Sequence, residues 1–115
     1  MADRLIDTDV FIDHFRGART LTPARGMHYS VITRCELFAG RRIEGADIRE
    51  LLDGLREVPI SRSIAEAAGR LRRDSGIQTP DALIAATALA YSMELVTRNL
   101  RDFSNIPGLV VSAPA

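Results

Sequence analysis

At 115 residues, 46% hydrophobic and 26% charged, the chain has the size and make-up of one ordinary folded domain, not a disordered or fibrous one. Its formal net charge is zero and all 15 basic residues are arginine, which removes any chemistry that needs a Schiff-base or phosphate-binding lysine. Cys35 is the single cysteine, so an internal disulfide framework and a zinc ribbon are both excluded.

Arg4-Leu5-Ile6 reads as a brief strand running into an acidic turn, Asp7-Thr8-Asp9. Val10, Phe11 and Phe15 then recur at helical spacing until Gly17, which predicts a helix of about two turns. Residues 18–26 show no periodicity and read as a loop, and Met27 to Ser30 is either a second strand or an approach to a helix. Ser30 has the chemistry of an N-cap for a helix over Val31–Ala39, with Gly40 where a C-cap glycine is expected. Ile48, Leu51, Leu52 and Leu55 form a helical stripe that should pack on the core or on a second copy, followed by a strand over Glu57–Ile60. Ser63 and Glu66 have capping-box spacing ahead of an alanine-rich helix ending near Ser75-Gly76. Thr79-Pro80-Asp81 predicts the strongest helix, Ala82 to Ser92, with Thr79 as N-cap and an acid in its first turn. Glu94–Thr97 and Leu109–Val111 read as the last strands. Short strands alternating with helices predict an α/β fold with a mostly parallel sheet covered on both faces. No apolar run approaches the ~20 residues that span a bilayer. The opening Met1-Ala2-Asp3-Arg4 lacks a signal-peptide pattern, so a cytoplasmic location is expected, with no membrane partner.

Four acids sit at element ends or beside apolar segments: Asp7, Glu36, Asp81 and Asp102. Taken singly each has an ordinary role. Asp7 can cap the helix after it, Asp81 can complement a helix dipole, Glu36 can lie on a rim, and Asp102 can sit in a solvated turn. Taken together they suggest convergence beyond the carboxyl ends of the strands, where a parallel sheet opens its crevice. Converging carboxylates repel unless a cation lies among them, and an oxygen-only donor set suits Mg²⁺, or Mn²⁺. His14 and His28 lack a second ligand at metal spacing and read as surface or structural residues. Cys35 reads as a small buried hydrophobe, and Arg41-Arg42 and Arg72-Arg73 as solvated helix ends with a lesser claim to phosphate contact.

The order and local sequence of these acids resemble the PIN-domain ribonucleases, in particular the VapC toxins of type II toxin–antitoxin pairs. The matching stretches are Leu5-Ile6-Asp7-Thr8-Asp9 and Ser30-Val31-Ile32-Thr33-Arg34-Cys35-Glu36-Leu37, then residues 79–88 and 95–103. The resemblance implies a single PIN domain over residues 1–115, a three-layer α/β/α sandwich acting as an Mg²⁺-dependent endoribonuclease. It makes Asp7 and Asp81 the principal metal ligands, with Glu36 and Asp102 completing the acidic cluster and Thr8, Thr97 and Asn99 as supporting polar groups. Asn99 stands where many relatives have an acid, a departure that bears on a second metal. The implied partners are an RNA substrate, a cognate VapB-type antitoxin and a second copy in a homodimer. Setting the four site acids aside leaves 11 acids against 15 arginines, and that surplus, Arg98 and Arg101 included, is expected to meet the RNA backbone.

Two other classes compete. Asp7-Thr8-Asp9 superficially resembles the nucleophile motif of haloacid-dehalogenase phosphatases, and the length that of a receiver domain, but aspartyl-phosphate enzymes normally use the lysine this chain lacks. A non-catalytic binding module on the same fold is the second.

Overall fold

Leu5 and Ile6 are adjacent in sequence and both fully buried, so the first strand must be covered on both faces. The computed structural model, which describes residues 3–115, meets that demand with three layers. Five strands, β1 (Arg4–Ile6), β2 (Met27–Ser30), β3 (Arg56–Val58), β4 (Glu94–Val96) and β5 (Val111–Ser112), pair in the order β3-β2-β1-β4-β5. Every pairing is parallel, with Leu5 opposite Leu95 and Ile6 opposite Val96. Five helices, α1 (Thr8–Phe15), α2 (Val31–Ala39), α3 (Gly45–Asp53), α4 (Arg62–Ser75) and α5 (Thr79–Ala90), cover the sheet, and a short 3-10 turn spans Leu100–Phe103. No helix among the described residues is long and apolar enough to cross a membrane.

The strand alternation sorts the core into two layers. Ile6, Tyr29 and Val96 pack with Val10 and Phe11 of α1, Leu37 of α2, and Ile48 and Leu52 of α3. On the opposite face, Leu5, Val58 and Leu95 pack against Ile84, Ala85 and Ala88 of α5. Alanines let α5 lie close to the strands. A third cluster, Ile64 and Ala68 against Ala82 and Ala86, docks α4 on α5. The predicted leucine stripe divides: Ile48 and Leu52 are buried, whereas Leu51 and Leu55 are half-buried against the same cluster, and Leu55 lies beyond the end of α3.

Several boundaries differ from expectation. Ser61, not Ser63, caps α4, because its hydroxyl accepts from the Ile64 amide while the Ser63 side chain stays exposed. Gln78, not Thr79, precedes the first helical residue of α5, so Pro80 sits within the first turn. That helix stops at Ala90 instead of Ser92, which adopts a left-handed φ of 54° to turn the chain into β4. Strand β3 is Arg56–Val58, ahead of Pro59, which has no amide to give a ladder, and β5 begins at Val111 instead of Leu109. Ser30 caps α2 as expected, its hydroxyl accepting from the Ile32 amide. Gly40 does occupy the C-cap, but in an extended conformation open to any residue.

Candidate functional site

The strand order reverses direction at β1: the chain leaves β1 for β2 on one side and returns to β4 on the other. The carboxyl ends of β1 and β4 therefore flank a crevice of the kind that open parallel sheets use for ligands. Asp7 follows β1 and Thr97 follows β4, so two residues 90 apart in sequence meet there.

Asp7 does cap α1, its Oδ1 accepting from the Thr8 amide at 2.8 Å. Capping does not account for its surroundings. It is 5% exposed, and its Oδ2 accepts from the Thr97 hydroxyl at 2.8 Å. Burial raises its carboxyl most, and the charges of Asp9 and Asp81 add to that. The hydrogen bonds from Thr97 and Thr8 oppose the rise, and the group is left at about 7. An acid so perturbed in a crevice marks a functional group more often than a structural one.

The supporting hydroxyls form a chain. The Thr8 hydroxyl donates to Glu36 Oε1 at 2.7 Å and lies 2.9 Å from the hydroxyl of Thr33, which is fully buried on α2. Thr8 has one proton to give, so with Glu36 as its acceptor it receives the proton of Thr33. The arrangement fixes the rotamer of exposed Glu36 at the crevice mouth.

Asp81, half-buried in the first turn of α5, reaches the crevice from the other side. Its carboxyl is raised by burial first, then by the charges of Asp102, Glu36 and Asp9. All four predicted acids thus lie within electrostatic reach of Asp81 or Asp7. Asp102 and Asn99 are exposed on the segment that follows β4, and the Asn99 amide donates to the Thr97 hydroxyl at 3.1 Å. Among the described residues no three carboxylate, imidazole or thiol groups already close on one point as cation ligands. The donor set nevertheless fits a hard divalent cation: every group is an oxygen, and a cation among them relieves the repulsion that raises Asp7 and Asp81.

Three site residues escaped the sequence reading. Asp9 is 8% exposed, accepts from the Arg98 amide at 3.1 Å, and shares with Asp7 the single proton of the Thr97 hydroxyl, 3.2 Å away. Burial raises its carboxyl, against the hydrogen bonds from Arg98 and Thr97. Asp13, one turn later, accepts from the Arg98 guanidinium at 2.8 Å, with a side chain 7% exposed against 51% for Arg98. Thr33 is the third. Asp9 and Asp13 are spaced four apart on α1, and two acids on one face of a mostly apolar helix were the available signal.

Of the remaining candidates, His14 Nδ1 accepts from the Leu21 amide and His28 Nδ1 lies 3.1 Å from the Gly26 carbonyl, both outside the crevice and in keeping with structural roles. Cys35 is exposed, not buried: Thr33 and Leu37 take the inward face of α2, which turns the residue midway between them to solvent. Arg72 bonds the Ile77 carbonyl and Arg73 pairs with Asp74, as expected of residues near a helix end.

Comparison with known proteins agrees with this architecture. The family model described as PIN domain matches residues 4–109. Ribonuclease VapC19 of Mycobacterium tuberculosis is 33% identical over 120 residues, covering 92% of this chain and 96% of that protein. Among solved structures, a toxin–antitoxin complex from Klebsiella pneumoniae superposes with a TM-score of 0.78 at 34% identity, covering 94% of this chain and 96% of the matched one. A DNA-bound VapBC from Salmonella typhimurium gives 0.78 at 25% identity, covering 98% of both chains. VapBC2 from Rickettsia felis, bound to a promoter DNA fragment, reaches 0.82 at 21% identity over 97% of this chain and 98% of its own, a likeness of fold. A family model spanning nearly the whole chain and a VapC relative at this identity agree: the chain belongs to the PIN-domain family, in its VapC-type branch.

Proposed function

We propose that the chain is a divalent-cation-dependent endoribonuclease, the toxin of a VapBC-type pair, whose unchecked activity arrests growth. The observation that carries the reading is Asp7: a buried carboxyl at the strand-order reversal, held by two hydrogen bonds and raised to about 7. The relative named a ribonuclease and the toxin–antitoxin complexes of similar fold support RNA as substrate and a VapB-type antitoxin as partner.

In this reading Asp7 and Asp81 hold Mg²⁺, or Mn²⁺, with Glu36 and Asp102 completing the acidic lining. When bound, the ion supplies Lewis acidity at the phosphoryl oxygens and charge stabilisation for the leaving oxygen. Thr97 and the Thr8 amide keep Asp7 in one orientation, so the ligand arrives pre-positioned. In the same reading Glu36, held by the Thr8 hydroxyl, and Asp102, on the segment after β4, orient and deprotonate the attacking water. No residue needs to form a covalent intermediate, consistent with a chain that has no lysine to steady an aspartyl phosphate.

The test is RNA cleavage by purified protein with Mg²⁺ and with EDTA, for wild type, Asp7→Asn and Asp81→Asn. Cleavage should need the cation and vanish in both variants while the circular dichroism spectrum stays unchanged. Retention of more than a few per cent of activity in both removes the assignment. Trapping of phosphate on Asp7 supports the phosphatase reading instead, and partner binding without cleavage the binding module.

A further inference from the structure

Two threonines are fully buried within helices, Thr33 in α2 and Thr87 in α5, and their hydroxyls are spent differently. Thr87 donates to the Leu83 carbonyl four residues back at 2.7 Å, the ordinary way a helix satisfies a buried hydroxyl. Thr33 stands in the first turn of α2, so the carbonyl four back is that of Tyr29, in β2 and outside the helix. Among the described residues its hydroxyl has one partner, the Thr8 hydroxyl of α1, 2.9 Å away. Valine has the same shape and no hydroxyl to satisfy, so packing alone does not ask for threonine here.

Thr33 and Glu36 are three residues apart on α2 and so share a face, and Thr8 stands against both. A carboxylate can only accept, so Thr8 gives its one proton to Glu36 Oε1 at 2.7 Å and takes that of Thr33. The amide of the same Thr8 donates to Asp7 Oδ1 at 2.8 Å, so two acids from different elements are tied to one residue. We propose that Thr33 is a positioning residue for RNA hydrolysis, a buried hydroxyl that acts through Thr8 to hold Glu36 at the mouth of the crevice. The inference rests on the ribonuclease reading and deepens it by adding a residue that never meets the substrate. A hydroxyl that accepts a hydrogen bond donates more strongly, so Thr33 tightens the grip of Thr8 on Glu36. It also sets the spacing. Thr33→Val puts a methyl where the hydroxyl was, and a methyl carbon needs about 3.3 Å or more from an oxygen. The Thr8 side chain must then move, and its hydroxyl swings off Glu36. Among the described residues Glu36 has no other side-chain hydrogen bond, so its carboxylate is left to rotate.

The experiment uses the full chain as wild type, Thr33→Val, Thr33→Ser and Thr87→Val. Cleavage is measured at saturating Mg²⁺ on a fluorescent RNA that wild type cuts, selected from transfer, ribosomal and messenger fragments. Thr8 rotamers are read from side-chain NMR couplings in the metal-free proteins. Thr33→Val should lower kcat on the order of tenfold and leave KM within about twofold, the pattern of a group that orients another. Thr33→Ser restores the hydroxyl and should recover most of the rate. Thr87→Val removes a hydroxyl just as buried and should leave kcat at the wild-type value. Thr8 should hold one rotamer in wild type and Thr33→Ser and average over several in Thr33→Val. Combining Thr33→Val with Glu36→Gln should slow cleavage no further than Glu36→Gln alone, since both act at one carboxylate. A melting temperature that falls in Thr33→Val while kcat holds makes the residue structural and overturns the proposal. So do a Thr33→Ser protein as slow as Thr33→Val, and rate losses that multiply in the double variant. Wild type that cuts none of the RNAs sinks the nuclease reading, and the Thr8 rotamers then decide alone. A single Thr8 rotamer in Thr33→Val removes the positioning role, and averaging there upholds the hold on Glu36.

Discussion

The crevice has an inner wall and an outer rim, built on different principles. The inner wall of Asp7, Thr8, Asp9, Thr33 and Thr97 is buried, and each side chain has a hydrogen-bond partner. The rim of Glu36, Asp81, Asn99 and Asp102 is open or half-open to solvent and holds few such bonds. Low dielectric on the wall makes each charge costly and each contact strong, so geometry is fixed there. On the rim water screens the charges, so these groups can follow a cation or a phosphate as it arrives. Pre-organisation and adaptability are divided between two shells a few residues apart.

The largest effects should come from the wall. Asp7→Asn should cost more than about a hundredfold in cleavage, beyond the usual cost of losing a group one step removed from a metal. Asp7 also sets a pH dependence whose direction is fixed. Its folded value of about 7 lies above the ordinary 3.8, so between these values the folded state holds more protons than the unfolded one. Stability of the cation-free protein therefore falls as pH rises from about 4 to 7, by up to about 4 kcal/mol from this group. Melts in EDTA across that range should show the slope in wild type and a shallower one in Asp7→Asn, where Asp9 and Asp81 stay raised. A flat wild-type profile overturns the perturbed acid. Protons and cation compete for the same oxygens, so Mn²⁺ affinity should weaken below pH 7.

On the rim, Asp81→Asn separates shared site from simple helix capping. Mg²⁺ at a hundredfold excess over Kd should stabilise wild type by about 2.7 kcal/mol, and Asp81→Asn should lose most of that increment. An Asp81 that serves only the dipole of α5 leaves the Mg²⁺ shift unchanged and costs the apo protein up to about 1 kcal/mol.

A smaller effect tests how the wall is braced. Asp13→Asn removes the charge that anchors Arg98 and should cost about 1–3 kcal/mol. It should also speed hydrogen exchange at the Arg98 and Asn99 amides and lower the cleavage rate more than RNA affinity. A fall in affinity alone makes Arg98 an RNA contact, not a brace. Smallest of all, Cys35→Ser should move stability by less than about 0.5 kcal/mol, and wild-type Cys35 should react with a thiol reagent in the native protein.

What could be read from the sequence follows the range of the forces involved. The short apolar run that makes β1 and the hydroxyl of Ser30 that caps α2 are local, and both were legible. Ser61 and Ser63 offer the same chemistry two residues apart, and the choice is made by where Arg62 enters the helical region, which propensity does not fix. Glu36, Asp81 and Asp102 were found by resemblance and by their positions at element ends, not by any contact visible in one dimension. Asp9 and Asp13 were missed because their meaning lies in Arg98, 89 and 85 residues downstream. Cys35 is the avoidable error, since Thr33 and Leu37 already marked the inward face of its helix.

The pairing of β1 with β4 has a consequence in time as well as in space. Strand β1 has β2 within reach as soon as about 30 residues exist, but its other edge stays open until Glu94–Val96 arrives. Asp7 gains its hydroxyl donor only with Thr97, 90 residues later. A ribosome adding about 5–20 residues each second leaves the acid without its partner while the 90 residues up to Thr97 are made. A chain interrupted before that point carries Asp7, Asp81 and Glu36 but no assembled crevice. For a protein whose proposed activity endangers the cell that makes it, the site comes into being only after β4 and the threonine that follows it have been made.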